Sequence, residues 1–141
     1  MLVGLPGSGK STWAAEQGIG VLSSDAVRAL LTGTEQNQEA NSLVFQTLRF
    51  LLKMRVLAGV PSTIIDATSL TAKERRTWTR LAKSLDCSPE AVFFDTPVAI
   101  CKARNTARSR VVPDEVMDRF AARLTPPSVD EGFERVTVIR P

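Results

Sequence analysis

The chain has 141 residues, of which 43% are hydrophobic and 23% are charged, with 18 lysines and arginines against 15 acidic residues. This composition is typical of one globular domain and argues against disorder, a disulfide scaffold or a collagen-like repeat. The chain contains no histidine, which excludes histidine-based acid–base catalysis and histidine-ligated metal sites. Its two cysteines favour a reducing compartment, and no apolar run is long enough to span a membrane. We therefore expect a cytoplasmic protein that does not act at a membrane.

The predicted elements alternate between short apolar strands and helices along the chain. Strands are predicted at 1–4, 19–23, 63–66, 91–95 and 135–139, and helices at 11–17, 25–31, 38–58, 71–85, 97–108 and 113–124. This alternation predicts a single α/β domain over residues 1–141, with a parallel sheet covered by helices on both faces. Because only three residues precede the first glycine-rich turn, the first strand is either short or truncated.

Residues 4–11 read Gly-Leu-Pro-Gly-Ser-Gly-Lys-Ser and fit the phosphate-binding pattern G-x-x-x-x-G-K-[ST] without exception. The glycines let the backbone wrap closely around phosphates, and the following helix adds its N-terminal dipole. Lys10 is expected to reach the β- and γ-phosphates, and the Ser11 hydroxyl is expected to ligate Mg²⁺. The predicted nucleotide-binding residues here are Gly4, Gly7, Ser8, Gly9, Lys10, Ser11 and Thr12. The motif predicts binding of a nucleoside triphosphate, and the absence of a guanine-reading N-K-x-D pattern disfavours a GTPase.

Acidic residues follow two of the predicted strands, at the sheet edge where ligands bind in folds of this kind. Asp25 follows the second strand, and Arg28 lies three residues further on the same helical face. This carboxylate could take the proton of an acceptor hydroxyl and the arginine could hold an anionic acceptor. The alternatives are a helix N-cap and a surface arginine. Asp66 ends the third strand, and it is a candidate for binding Mg²⁺ or its waters or for capping the next turn.

Two stretches of the chain are rich in cations. Arg104, Arg108 and Arg110 lie where the helix predicted at 97–108 leads into the next predicted helix, and they form either a lid over residues 104–113 or an exposed basic helix end. Lid arginines would neutralise charge on the triphosphate in the transition state. The helix at 71–85 carries a second cluster, which forms either a solvated face or a phosphate-facing surface: Lys73, Arg75, Arg76, Arg80 and Lys83.

Together these motifs resemble the phage-type polynucleotide 5′-hydroxyl kinases over nearly the whole chain. The resemblance rests on residues 4–12, Ser24-Asp25-x-x-Arg28, Ile65-Asp66-Ala67-Thr68, and Arg104-Asn105-x-x-Arg108 followed by Val112-Pro113. It implies a P-loop kinase fold with five parallel strands in the order 2-3-1-4-5 and an arginine lid. It also implies ATP and Mg²⁺ as cofactors and the 5′-OH end of RNA or DNA as the acceptor.

The resemblance implies a role for each matched residue. Asp25 would be the general base that activates the 5′-OH, and Arg28 would bind an acceptor phosphate beside the reacting end. Lys10 and Arg108 would act on the donor phosphates, with Arg104 supporting the lid. Two other functions stay open from the sequence: a kinase for the hydroxyl of a nucleoside, sugar or antibiotic, and a non-catalytic ATP-binding protein. A small-molecule kinase would have a closed acceptor pocket in place of an open basic groove.

Overall fold

The computed structural model describes residues 1–107 and 110–141 of the chain. The strands are β1 Leu2–Val3, β2 Val21–Ser23, β3 Ile64–Asp66, β4 Glu90–Phe94 and β5 Arg135–Ile139. The helices are α1 Lys10–Glu16, α2 Ser24–Thr32, α3 Asn41–Leu57, α4 Ala72–Ser84, α5 Val98–Asn105 and α6 Asp114–Arg123, with 3₁₀ turns at Gln38–Ala40 and Val129–Glu131. Within the described residues, no helix has both the length and the apolar character needed to cross a membrane. Each predicted element is present, and the ends of the elements differ from prediction by at most three residues.

The strands found in the described part of the chain pair in parallel and form two hydrogen-bonded ladders. In one ladder β2 pairs with β3, and in the other β4 lies between β1 and β5. β1 lies beside β3, but no backbone hydrogen bond joins these two strands among the described residues. We call this junction the β1–β3 seam. The spatial order 2-3-1-4-5 expected from the resemblance is therefore confirmed, although the sheet is divided at the seam and β1 has only two residues.

The apolar core positions α2 and α3 beside the smaller ladder. Val44 and Leu48 of α3 are fully buried, one helical turn apart, and they pack with Ile65 of β3 and Trp78 of α4. A second apolar cluster lies behind the glycine-rich loop and contains Leu5, Leu70, Cys101, Val112 and Met117. The elements that carry the polar candidates pack into these clusters, α2 and β3 into the first and the glycine-rich loop into the second.

Arg75 of the charged helix α4 is completely buried, with 0% exposure. Its guanidinium donates to both carboxylate oxygens of Glu131, at 2.7 and 2.8 Å. It also donates to the carbonyl oxygens of Ser69 and Leu70, at 3.2 and 2.8 Å. Arg75 therefore lies neither on a solvated helix face nor on a phosphate-facing surface, because its guanidinium is bound by other groups of the protein interior. The ion pair with Glu131 joins α4 to the segment before β5. The hydrogen bonds to the carbonyl oxygens join α4 to the segment after β3.

Candidate active site

The loop between β1 and α1 has the shape of a phosphate cradle. Gly7 has a φ of +78°, and a Cβ atom there would lie 2.5 Å from the carbonyl oxygen of Cys101, so glycine is required for the loop to pass this close to α5. Ser8 is buried, and its Oγ has no hydrogen-bond partner in the described part of the chain. The backbone oxygen of Ser8 accepts a hydrogen bond of 3.1 Å from the hydroxyl of Thr96, and this bond holds the loop to the segment that follows β4. A closely wrapped loop with an unsatisfied buried hydroxyl fits an anionic ligand such as a triphosphate.

Gly7→Ala is expected to weaken ATP binding by about tenfold or more, because the new Cβ displaces the loop from the Cys101 carbonyl oxygen. Gly59→Ala is the matched control, since Gly59 has a similar φ of +76° but nothing lies within 4 Å of the position that the new methyl group would occupy. Backbone strain should lower the free energy of unfolding by about 1–2 kcal/mol in both variants. Titration with a fluorescent ATP analogue should separate them, and equal affinities would contradict the assignment of this loop.

The structure brings the two predicted magnesium ligands together. The Ser11 hydroxyl donates a hydrogen bond of 3.1 Å to Oδ2 of Asp66, which ends β3. Hydroxyl and carboxylate oxygens are donors that Mg²⁺ accepts, and this ion commonly uses one or two protein ligands together with waters and phosphates. The donor set therefore fits the ion. Beside this pair, Lys10 Nζ donates to the carbonyl oxygens of Gly4 and Leu5, at 2.9 and 2.8 Å, and so lies across the loop.

Asp25 lies in the first turn of α2, while Ser23 occupies the N-cap and accepts a backbone hydrogen bond through its hydroxyl. The helix-cap alternative for Asp25 is therefore wrong. Oδ1 of Asp25 accepts hydrogen bonds from Nη1 of Arg28, at 3.0 Å, and from Nη1 of Arg110. Within the residues that the structure describes, Oδ2 has no partner. The carboxylate is thus held in place through one oxygen, which leaves the other able to accept a proton.

Arg28 is only 3% exposed, so it is not a surface arginine. Its Nη2 donates a 2.6 Å hydrogen bond to Oδ1 of Asn41, and together with the Asp25 contact this holds the guanidinium from two sides. The Nε atom is also buried but has no partner among residues 1–107 and 110–141. Leaving a buried charged donor unsatisfied is costly, and an anionic ligand would remove that cost. Arg28 therefore fits the anion-binding role implied by the resemblance.

A single cavity of about 1270 Å³ joins these groups. All the predicted site residues in the described part of the chain line it: Gly4, Gly7, Ser8, Gly9, Lys10, Ser11, Thr12, Asp25, Arg28, Asp66 and Arg104. Pockets for one small ligand usually measure about 300–1,000 Å³, so this cavity is larger than that range. Arg108, which the resemblance assigns to the donor phosphates, lies outside the described residues.

Sequence reasoning gave no role to Asn105, the last residue of α5, which is 1% exposed. Its Nδ2 donates to the carbonyl oxygen of Val112 at 2.6 Å, and its Oδ1 accepts from the Val112 N–H at 3.1 Å. We call this pair of bonds the Asn105 clip. The clip joins the two ends of the predicted lid segment, from which Arg110 reaches Asp25. The burial of Asn105 could not be predicted from the sequence, because a polar residue between Arg104 and Thr106 does not belong to any hydrophobic pattern.

Asn105→Ala is expected to lower the free energy of unfolding by about 2 kcal/mol, because two buried backbone groups of Val112 lose their partners. Asn105→Asp is the matched variant, since it keeps an acceptor for the Val112 N–H and loses the donor to the Val112 carbonyl. Urea unfolding measures the stability, and hydrogen exchange of the Val112 amide reports the clip directly. Exchange at Val112 should accelerate in the alanine variant, and an unchanged rate would show that the clip does not hold this segment.

Cys101 lies directly behind the glycine-rich loop and is fully buried. Burial raises the pKa of its thiol, although Lys10 and Arg104 act in the opposite direction. A thiol with a raised pKa stays protonated near neutral pH and is a poor nucleophile. The buried Cys101 side chain packs α5 against the loop, in one apolar cluster with Leu5.

The chain matches the model of the family described as "AAA domain" over residues 1–127. It belongs to this family. The AAA-domain chain is also 24% identical, over 143 residues, to the bifunctional polynucleotide phosphatase/kinase of Schizosaccharomyces pombe. That alignment covers 96% of this chain and 32% of the yeast protein, so the chain spans about a third of the length of this relative.

Solved structures show the same fold. A sugar kinase from Janibacter sp. HTCC2649 has a TM-score of 0.68 and 25% identity, with 99% of this chain and 82% of that chain covered. A candidate kinase from Chloroflexus aurantiacus has a TM-score of 0.70 and 13% identity, and the match covers 99% of this chain and 85% of that chain. The AAA-domain chain thus has the fold of these two kinases, and P-loop kinases as a group use ATP and generally Mg²⁺. The two named relatives differ in the acceptor that their names give, a polynucleotide in one and a sugar in the other.

Proposed function

We propose that this AAA-domain protein is a kinase that transfers the γ-phosphoryl group of ATP to the 5′-hydroxyl end of RNA or DNA. The observation that carries the proposal is the placement of Asp25 and Arg28 in the same cavity as the phosphate cradle. Among the described residues, Oδ2 of Asp25 and the Nε–H of Arg28 have no partner; a free carboxylate oxygen suits a hydroxyl acceptor, and a free buried N–H suits a neighbouring phosphate. The yeast relative, named as a polynucleotide phosphatase/kinase, supports the same acceptor class.

In the proposed reaction the residues of the cavity form two groups, a donor side that binds ATP and an acceptor side that binds the 5′-OH strand. On the donor side, the loop backbone and Lys10 bind the triphosphate, and the lid arginines Arg104 and Arg108 add positive charge as negative charge develops on the phosphates. Mg²⁺, held by Ser11 and Asp66, would supply charge neutralisation and orientation of the phosphates.

On the acceptor side, Asp25 takes the proton of the 5′-OH through Oδ2 as the hydroxyl oxygen bonds to the γ-phosphorus. The bond from that phosphorus to the β–γ bridging oxygen breaks, so ADP leaves and the acceptor gains a phosphate. Arg28 binds the phosphate next to the reacting hydroxyl and sets the direction of attack, which is a positioning effect. Because Asn41 and Asp25 both hold Arg28, this geometry exists before the acceptor arrives.

A kinase for a small-molecule hydroxyl is the second candidate. The sugar kinase from Janibacter favours it, since that structure is 25% identical and matches 99% of this chain. A sugar kinase of this architecture would use the same cradle and the same base. A sugar acceptor, however, has no phosphate for the buried Arg28 to bind. We therefore rank the small-molecule kinase second.

The proposal is tested by transfer of labelled γ-phosphate from Mg–ATP. RNA and DNA oligonucleotides with 5′-OH ends, oligonucleotides with 5′-phosphate ends, and a panel of sugars and nucleosides are offered in parallel. Label on the 5′-OH oligonucleotides alone is the expected result. Label on a sugar or nucleoside and none on the oligonucleotides would move the assignment to the second candidate, and ATP binding without transfer to any acceptor would indicate a non-catalytic protein.

A further inference from the structure

Helix α3 presents one row of side chains to the cavity. Asn41, Phe45 and Arg49 are spaced four residues apart, so they lie on one helical face, and all three line the cavity. Asn41 begins the row and binds Arg28. Arg49 ends it, about 12 Å further along the helix axis at a rise of about 1.5 Å per residue. Arg49 therefore lies about two helical turns from the residue that binds Arg28.

The positive charge of Arg49 has no counterpart within the described part of the fold. Four other arginines that line the cavity are bound to carboxylates: Arg28 and Arg110 to Asp25, Arg123 to Glu74 and Arg140 to Asp95. The Arg49 side chain makes no hydrogen bond or ion pair among the described residues, and the same is true of the Arg104 side chain beside the cradle. Arg104 lies on α5, on the donor side, whereas Arg49 lies on the acceptor side. An arginine left without a carboxylate in a cavity attracts an anionic group of the ligand.

We propose that Arg49 binds a second acceptor phosphate, further from the 5′ end than the phosphate bound by Arg28. This inference rests on the proposed function and defines its acceptor as a strand with several phosphates. Phe45 lies between the two arginine positions and packs beside Trp78, with ring centroids 6.4 Å apart, so the surface between the two phosphates is apolar and suits a sugar or base. A sugar or nucleoside acceptor would leave this second anion site empty.

The test compares two acceptors that differ in their number of phosphates. A nucleoside 3′-monophosphate offers one phosphate beside the 5′-OH, and a hexanucleotide offers several. Arg49→Gln should raise the KM for the hexanucleotide about tenfold, with little change in kcat, and change the KM for the mononucleotide by less than about twofold. The slope of log KM for the hexanucleotide against log salt should fall by about 0.7, the value for one phosphate contact on a single strand.

Arg80→Gln is the matched control, because Arg80 is an exposed α4 arginine that does not line the cavity. The control should leave both KM values and the salt slope as in the parent protein. If Arg49→Gln behaves like Arg80→Gln on the hexanucleotide, the second phosphate site is wrong while the proposed function stands. Equal losses on both acceptors would also overturn it, since Arg49 would then act at the reacting end. If the parent protein phosphorylates neither acceptor, the proposed function itself fails, and this inference with it.

Discussion

Asp25→Asn is expected to reduce kcat by about a thousandfold, within the range of about 10²–10⁴ that a positioned general base contributes. The asparagine keeps an oxygen for the hydrogen bonds from Arg28 and Arg110, so the local structure should persist. It removes the second carboxylate oxygen, which takes the hydroxyl proton in the proposed reaction. Transfer to a 5′-OH oligonucleotide measures the loss, and ATP affinity should change by less than about twofold because the cradle is untouched.

The control for this variant is Asp130→Asn, an exposed aspartate that does not line the cavity. It should leave both turnover and ATP affinity unchanged. Turnover near the parent value in Asp25→Asn would remove Asp25 as the base. A parallel loss of ATP affinity and turnover would assign it a structural role in holding Arg28 and Arg110, since the two sides of the cavity would then fail together.

Glu131→Gln is expected to lower the free energy of unfolding by about 3–5 kcal/mol, the usual result of breaking a buried ion pair. Arg75 is 0% exposed and the Glu131 side chain is 4% exposed, so the guanidinium would be left with a weakened partner and no access to water. The total free energy of unfolding of a domain of this size is about 5–15 kcal/mol, so the loss should clearly lower the midpoint of a urea unfolding curve. The nucleotide cradle should keep its ATP affinity at temperatures where the variant is folded.

An exposed ion pair provides the comparison. Arg135 and Glu90 are 68% and 47% exposed, and their contact of 2.7 Å is as short as the buried one. Glu90→Gln should cost less than about 1 kcal/mol, because water and salt screen a surface pair. If the two substitutions cost the same, burial is not what makes the Arg75–Glu131 pair important, and α4 is held by its apolar contacts.

Much of the fold and of the donor site could be predicted from the sequence, because both depend on local patterns. The strand–helix alternation gave the element order, and the glycine-rich motif gave the cradle and the Ser11 position. Asp25 and Asp66 could be placed at the same edge of the sheet because each stands at or just after the end of a predicted strand. The structure adds that Ser23 pairs with Asp66 at the ends of β2 and β3. The roles of these residues stay predictions, whereas their common cavity is a structural finding.

The remaining features depend on contacts between residues that are distant in the chain. Arg75 and Glu131 are 56 positions apart, and no local pattern distinguishes a buried arginine from the exposed cations beside it. The Asn105 clip joins side chain to backbone, which a sequence pattern does not encode. The row of Asn41, Phe45 and Arg49 on α3 could not be predicted, because a phenylalanine is typical of the core and an arginine of the surface. That the three residues line one cavity is known only from the packed structure. Such features need the packed structure.

The β1–β3 seam has a mechanical consequence for the reaction. The cradle follows β1, in the ladder with β4 and β5, whereas α2 with Asp25 and Arg28 follows β2, in the other ladder. Because no strand hydrogen bond crosses the seam in the described residues, the acceptor half and the donor half are joined there by side-chain contacts and not by a continuous ladder. The Ser11–Asp66 hydrogen bond spans this junction. In the proposed reaction, the alignment of the attacking oxygen with the phosphorus therefore depends on side chains that cross the seam: the Ser11–Asp66 hydrogen bond and the buried apolar cluster that contains Leu2 of β1 and Ile64 of β3.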